Sequence, residues 1–142
     1  MRCKDVMKTN VQCAELTDTV QSAARTMRDR NIGFLPVRGA DGRVVGTLTD
    51  RDIAVRVASE DKSASRCRVG DFMTREVVSC QSSDDLARAE QLMATHKKSR
   101  MVVVDETGAL CGVISLSDIA ERDSTTRAAV TLRQVATREA HL

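Results

Sequence analysis

The sequence predicts an α+β fold built as two β-α-β-β-α units packed as a pseudo-two-fold pair. Three observations predict it. The stretch Gly46-Thr47-Leu48-Thr49-Asp50-Arg51-Asp52 returns as Gly112-Val113-Ile114-Ser115-Leu116-Ser117-Asp118, displaced by 66 positions. At that same displacement Met7 meets Met73, Asp18 meets Asp84, Met27 meets Met93, Val37 meets Val103 and Gly42 meets Gly108, and no gap is needed from Met7 to Arg56. Within each copy, helical apolar spacing alternates with short β-rich runs, so one copy holds both element types.

Each element follows from local pattern. A short apolar element lies near Val11 in the first copy and near Val77-Val78 in the second. Thr17-Asp18 and Ser83-Asp84 read as helix N-caps. Val20, Ala23, Ala24 and Met27 then give one apolar helix face, as do Leu86, Ala89, Leu92 and Met93. Phe34-Leu35-Pro36-Val37 and Met101-Val102-Val103-Val104 read as strands. Asp41-Gly42 and Thr107-Gly108 are turns leading to second strands, Val44-Val45-Gly46-Thr47-Leu48 and Leu110-Cys111-Gly112-Val113-Ile114. A second helix starts near Asp50 and near Leu116. Residues 1–58 are the first motif, 57–68 include a polar connection, and 69–122 are the second motif. Residues 123–142 form a tail whose helix carries Val130, Leu132 and Val135. About 55 residues bury little surface alone, so the units are expected to pack together.

Composition excludes several functions. The chain has 142 residues, a net charge of +2, and 1% aromatics with no Trp or Tyr. The net charge is too small to imply a nucleic-acid or membrane surface, and the composition offers no ring platforms for stacked bases. No apolar run is long enough to span a membrane. The start, Met1-Arg2-Cys3-Lys4-Asp5-Val6, lacks an apolar signal core, so a cytoplasmic protein is expected. Five Cys without any C-x-x-C pair argue against a disulfide framework and against zinc; Cys13 and Cys80 read as small buried groups. His96 and His141 have no metal spacing, no nucleophile–base–orienter set appears, and no metal or catalytic role is assigned.

The matching pieces identify a family resemblance. They are Val6-Met7, Ala24-x-x-Met27, Ile32-Gly33-Phe34-Leu35-Pro36-Val37 and Gly46-x-x-Thr49-x-x-Asp52 in the first copy. In the second they are Phe72-Met73-Thr74, Leu92-Met93, Arg100-Met101-Val102-Val103-Val104-Asp105 and Gly112-x-x-Ser115-x-x-Asp118. Each unit resembles a cystathionine-β-synthase (CBS) domain, and the pair resembles a Bateman module of the small stand-alone, hypoxic-response type. The resemblance implies a cleft between the units for adenosine-containing ligands such as AMP, ADP, ATP or S-adenosylmethionine, a homodimer, and a protein partner that the sequence does not name. No cofactor is implied beyond the nucleotide as ligand, AMP or ATP.

The residue types suit that ligand. Asp52 and Asp118 can each accept from both hydroxyls of a ribose. Thr49 and Ser115 stand at helix entrances, where free N–H groups and the dipole favour a phosphate. Adenine would be held by aliphatic packing near Val11 and Val77 and read by backbone around Phe34, Leu35, Arg100 and Met101. Phosphate cations would come from His96 and Lys97, from Arg30 at the equivalent position of the first copy, and from Arg51. The copies are unequal: Ser117 replaces Arg51, Val102 replaces Pro36, Ser99 replaces Gly33, and Arg100 brings a charge beside the adenine position. At most one tight site per chain is expected. The functional expectation is a regulatory nucleotide-sensing module; the alternative is a structural or dimerising protein of the same fold without a physiological nucleotide. Thr-x-x-Asp is also a plain helix cap, which serves the alternative.

Overall fold

The computed structural model describes residues 1–122 and 126–136. His141 and the end of the tail lie outside the described residues. Each copy has the β-α-β-β-α order. The first holds β1 (Ala14–Glu15), α1 (Val20–Arg30), β2 (Phe34–Arg38), β3 (Val44–Thr49) and α2 (Asp50–Ile53), which widens into a π-turn over Ala54–Ala58. After a connection comes α3 (Val69–Phe72). The second copy holds β4 (Ser79–Gln81), α4 (Leu86–His96), β5 (Arg100–Val104), β6 (Leu110–Ser115) and α5 (Leu116–Arg122); α6 (Thr126–Ala136) follows.

The compact units do not coincide with the sequence copies. One unit is Gln12–Val77; the other joins Met1–Val11 to the chain from Val78 onward. Each unit has a three-stranded sheet, β1-β2-β3 or β4-β5-β6, with the outer pair parallel and the hairpin antiparallel. Each hairpin then gains a bridge from the segment that leads the other copy. Thr74 exchanges backbone hydrogen bonds with Thr47 at 2.8 and 2.9 Å, and Lys8 does the same with Val113 at 2.9 and 3.0 Å. The repeated glycines permit this approach. A Cβ on Gly46 would stand 2.5 Å from Met73 Sδ and 2.8 Å from the Thr74 carbonyl. One on Gly112 would stand 2.6 Å from the Lys8 carbonyl.

Burial follows the predicted faces. Ala14, Ala23, Met27, Leu35, Val37 and Leu48 close one core with Val69 and Met73. Leu86, Ala89, Met93, Met101, Val103 and Ile114 close the other with Cys3, Val6, Cys80, Ile119 and Val135. Of the tail residues, Val135 is buried while Val130 and Leu132 are exposed. The inward face of α6 runs instead through Thr131 and Val135, four residues apart. Among its contacts with α4, Arg127 Nε lies 3.5 Å from Glu90 Oε2.

Three local expectations shift. The helix caps are Thr19 and Asp85, one position after Asp18 and Asp84. Asp18 and Asp84 instead accept from the N–H of Glu15 and Gln81, at 2.9 and 2.8 Å, and so close the turn after β1 and β4. The first strands lie beyond Val11 and Val77, which are irregular and half-buried. The difference in strand length has a cause in Pro36: the Val102 N–H reaches the Val78 carbonyl at 3.4 Å, whereas Pro36 has no N–H to offer Gln12. So β1 has two residues and β4 three.

Candidate functional site

The repeated corner is built the same way twice. At the end of β3, the Thr49 N–H donates to Asp52 Oδ2 at 2.9 Å, and the Asp52 N–H donates to Thr49 Oγ1 at 3.1 Å. At the end of β6, the Ser115 N–H donates to Asp118 Oδ2 at 2.9 Å, and the Asp118 N–H donates to Ser115 Oγ at 3.1 Å. Each is a reciprocal capping box, which satisfies two donors at a helix start and fixes the carboxylate's rotation. One oxygen of each aspartate is thus committed, and the other, Oδ1, points to different neighbours in the two corners.

Those neighbours come from one repeat position. Lys8 and Thr74 are 66 apart, and each is delivered by the bridge described above. Thr74 Oγ1 donates to Asp52 Oδ1 at 3.3 Å, and Arg56 Nε lies 3.9 Å from the same oxygen. The Arg56 guanidinium also donates to the carbonyls of Met73 and Phe72, at 3.1 and 3.3 Å. In the other corner, Lys8 Nζ lies 3.3 Å from Asp118 Oδ1; the lysine side chain is 74% exposed and the aspartate 7%. Burial would push the Asp118 carboxyl up. The Ser115 N–H and hydroxyl and the Lys8 ammonium outweigh it and hold the group below the ordinary carboxylate range. Ser115 Oγ also lies 2.8 Å from Ser117 Oγ, so the second corner's hydroxyl has a neighbour that Arg51 does not supply in the first.

The structure groups some expected site residues and separates others. Phe34 is the register partner of Thr49, and Arg100 of Ser115, so each stands beside its corner. Leu35 and Met101 are one step further on, 1% and 0% exposed, and their side chains belong to the cores. Only their backbone is left for a ligand, and it is already in the hairpin ladder. Val11 lies in the unit that holds Asp118, and Val77 in the unit that holds Asp52. Arg30 ends α1 and His96 ends α4, both exposed; Lys97 adopts the left-handed conformation at φ 53°, as Asn31 does at φ 54°. Arg51 is exposed, and its N–H donates to Asp50 Oδ1.

Sequence reasoning missed Lys8, Thr74 and Arg56. The signal for Arg56 was present, since it stands four residues after Asp52 on one helical face. Lys8 and Thr74 follow the paired methionines of the motif, but nothing local shows that each is delivered to the opposite copy's aspartate. Among the described residues, no group of three or more His, Cys, Asp or Glu is placed to hold a metal ion, and no helix is long and apolar enough to cross a membrane.

Comparison with known proteins is consistent with this doubled architecture. A family model described as CBS domain matches residues 3–59 and again 69–124. The CBS domain-containing protein YhcV of Bacillus subtilis is 38% identical over 117 residues, covering 82% of this chain and 81% of its own length. Hypoxic response protein 1 of Mycobacterium tuberculosis is 29% identical over 117 residues, covering 82% of this chain and 81% of that protein. Among solved structures, the CBS domain pair of protein MJ0100, in complex with 5′-methylthioadenosine and S-adenosyl-L-methionine, superposes with a TM-score of 0.75. It is 25% identical, covering 85% of this chain and 94% of that one.

Proposed function

We propose, from the premise that this chain belongs to the CBS-domain family and carries two tandem copies of the domain, that it is a regulatory module binding an adenosine-containing nucleotide. The observation that carries the reading is the doubled corner. In each, a capping box locks one carboxylate oxygen of Asp52 or Asp118 and leaves the other to partners that can be displaced: Thr74 and, at 3.9 Å, Arg56 on Asp52, and Lys8 on Asp118. A threonine hydroxyl at 3.3 Å rotates away readily, and an exposed lysine head moves at little cost. A ribose diol offers two donors to such an oxygen in return. That the MJ0100 domain pair was solved with two adenosine-containing molecules supports the ligand class. Phe34 and Arg100 stand beside the corners, and Arg51, Arg30, His96 and Lys97 are the cations proposed for phosphate. Ligand occupancy would be read by a protein partner through linkage between the two binding equilibria, with the chain acting as a cytoplasmic homodimer and no reaction catalysed.

The corners are unequal, so one tight site per chain is proposed. The Asp52 oxygen meets a neutral hydroxyl at 3.3 Å and a guanidinium only at 3.9 Å, whereas the Asp118 oxygen has an ammonium at 3.3 Å.

Calorimetry with AMP, ADP, ATP and S-adenosylmethionine on the parent chain, Asp52→Ala and Asp118→Ala tests the reading, with circular dichroism as the folding control. Saturable heat that disappears in one folded aspartate variant supports it. No heat with any of the four ligands replaces it with the alternative, a structural or dimerising protein in which the capping boxes serve only the fold.

A further inference from the structure

Two cysteines that lie 77 positions apart are brought into contact inside the unit that carries Asp118. Cys80 Sγ is 3.6 Å from Cys3 Sγ, with the Cys80 thiol donating to the Cys3 sulfur. They are 4% and 0% exposed. Cys80 sits in the middle of β4, fixed by its register with Val103. Cys3 opens a short turn, Cys3–Asp5, held on the loop after β4 by two backbone bonds, Cys3 N–H to the Asp84 carbonyl and Lys4 N–H to the Ser82 carbonyl, each 2.9 Å. Bonded sulfurs lie about 2 Å apart. Closing the gap therefore asks for a movement of roughly 1.5 Å, which thiol rotation and a small slide of a three-residue turn can supply.

We propose that Cys3 and Cys80 form a reversible intramolecular disulfide, by exchange with a small disulfide such as oxidised glutathione, that fastens the Met7-Lys8 segment to its sheet. The steps balance. Cys3, as thiolate, attacks one sulfur of the small disulfide and releases one small thiolate. Cys80 gives its proton to that thiolate and attacks Cys3 Sγ, releasing the second. Two protein thiols are oxidised, and one small disulfide is reduced to two thiols. The order follows the hydrogen bond: a Cys80 thiol that donates to Cys3 favours the Cys3 thiolate and is itself held back from ionising, with burial adding to the latter. Entry of the reagent requires opening of the Cys3–Asp5 turn, which hangs on few backbone bonds.

The consequence lies five residues along. Lys8 bridges β6 through its backbone and pairs with Asp118 through its ammonium. With Cys3 free, the segment is held by that bridge, by the turn, by the bonds from the Leu86 N–H to the Met1 carbonyl and from Arg2 to the Ser83 carbonyl, and by packing of Cys3, Val6 and Met7. With Cys3 bonded to Cys80, it is tethered covalently, and Lys8 has less freedom to leave Asp118.

The full chain, reduced and then incubated with oxidised glutathione, is quenched in acid, alkylated and mapped by mass spectrometry. The expected result is loss of two of the five free thiols, a mass lower by two hydrogens, no retained glutathione, and one linked peptide pair containing Cys3 and Cys80. Five alkylatable thiols, retained glutathione, or links through Cys13, Cys67, Cys111 or a second chain would overturn it. Cys3→Ser and Cys80→Ala each must abolish the link; a link that survives either variant overturns it as well. Hydrogen exchange tests the fastening separately: the amides of Lys8 and Val113 are expected to exchange more slowly in the oxidised protein, and equal rates would refute that role.

Discussion

Gly112→Ala is the substitution whose cost the structure fixes most directly. Gly112 does not have a positive φ, so alanine suits its backbone and gains about 0.4–1 kcal/mol by narrowing the unfolded ensemble. Against that, the new methyl would stand 2.6 Å from the Lys8 carbonyl and 3.0 Å from Met7 Sδ. The sulfur ends a flexible side chain and can move. The carbonyl cannot, because it accepts the Val113 N–H at 3.0 Å while the Lys8 N–H donates to the Val113 carbonyl at 2.9 Å. Relieving the overlap means backing the segment away by most of an ångström, which loosens both bonds, each worth about 1 kcal/mol, on top of about 1–3 kcal/mol of overpacking. The net expectation is a loss of roughly 2–4 kcal/mol. For a chain of this size that is a fall in Tm of about 5–15 °C. Urea unfolding followed by circular dichroism reads it as a lower midpoint. Gly42→Ala is the control: nothing lies within 4 Å, only its φ of +81° opposes the change, and the cost is about 1 kcal/mol. If Gly112→Ala unfolds at the parent midpoint, the close approach of Lys8 to β6 is wrong, and with it the delivery of Lys8 to Asp118.

Further outcomes follow from the corners and cores. Asp118 has a depressed folded pKa, so its contribution is full above the ordinary aspartate range and is lost as pH falls through the folded value; Asp118→Asn should flatten the acid limb of a stability–pH profile. Lys8→Thr, which copies the Thr74 arrangement, should change stability by less than about 1 kcal/mol because the ammonium is exposed, yet raise the Asp118 pKa in an NMR titration. Thr49→Val removes the hydroxyl that caps α2 and should cost about 1 kcal/mol in urea unfolding. Met101→Ala should cost about 2–5 kcal/mol by opening a core cavity, whatever nucleotide is present in a thermal-shift series.

The fold was legible because the duplication supplied every element twice, so each weak local pattern had a second vote. Gly46 and Gly112, Thr49 and Ser115, and Asp52 and Asp118 were visible as a spacing, and the capping boxes they form obey a purely local rule. The cap shift to Thr19 and Asp85 was not legible, since Asp18 and Asp84 are equally good turn formers and only the strand end decides. Lys8, Thr74 and the Cys3–Cys80 contact were invisible for a different reason. They depend on which sheet a leading segment joins, and periodicity within a copy carries no information about that. Leu35 and Met101 show the converse: hairpin pairing puts them one step from a corner, but alternation along the strand turns their side chains into the core.

The exchange of leading segments also bears on how the chain is made. Gln12–Val77 is one continuous stretch and can close as soon as it has been synthesised. The other unit is discontinuous: Met1–Val11 must wait for the loop after β4, and Lys8 for β6, translated about a hundred residues later. Nor can the protein be halved at its repeat boundary: a fragment beginning at residue 69 would carry off the segment that bridges β3 and leave behind the one that bridges β6. The duplicated gene therefore encodes a product that neither copy can reproduce by itself.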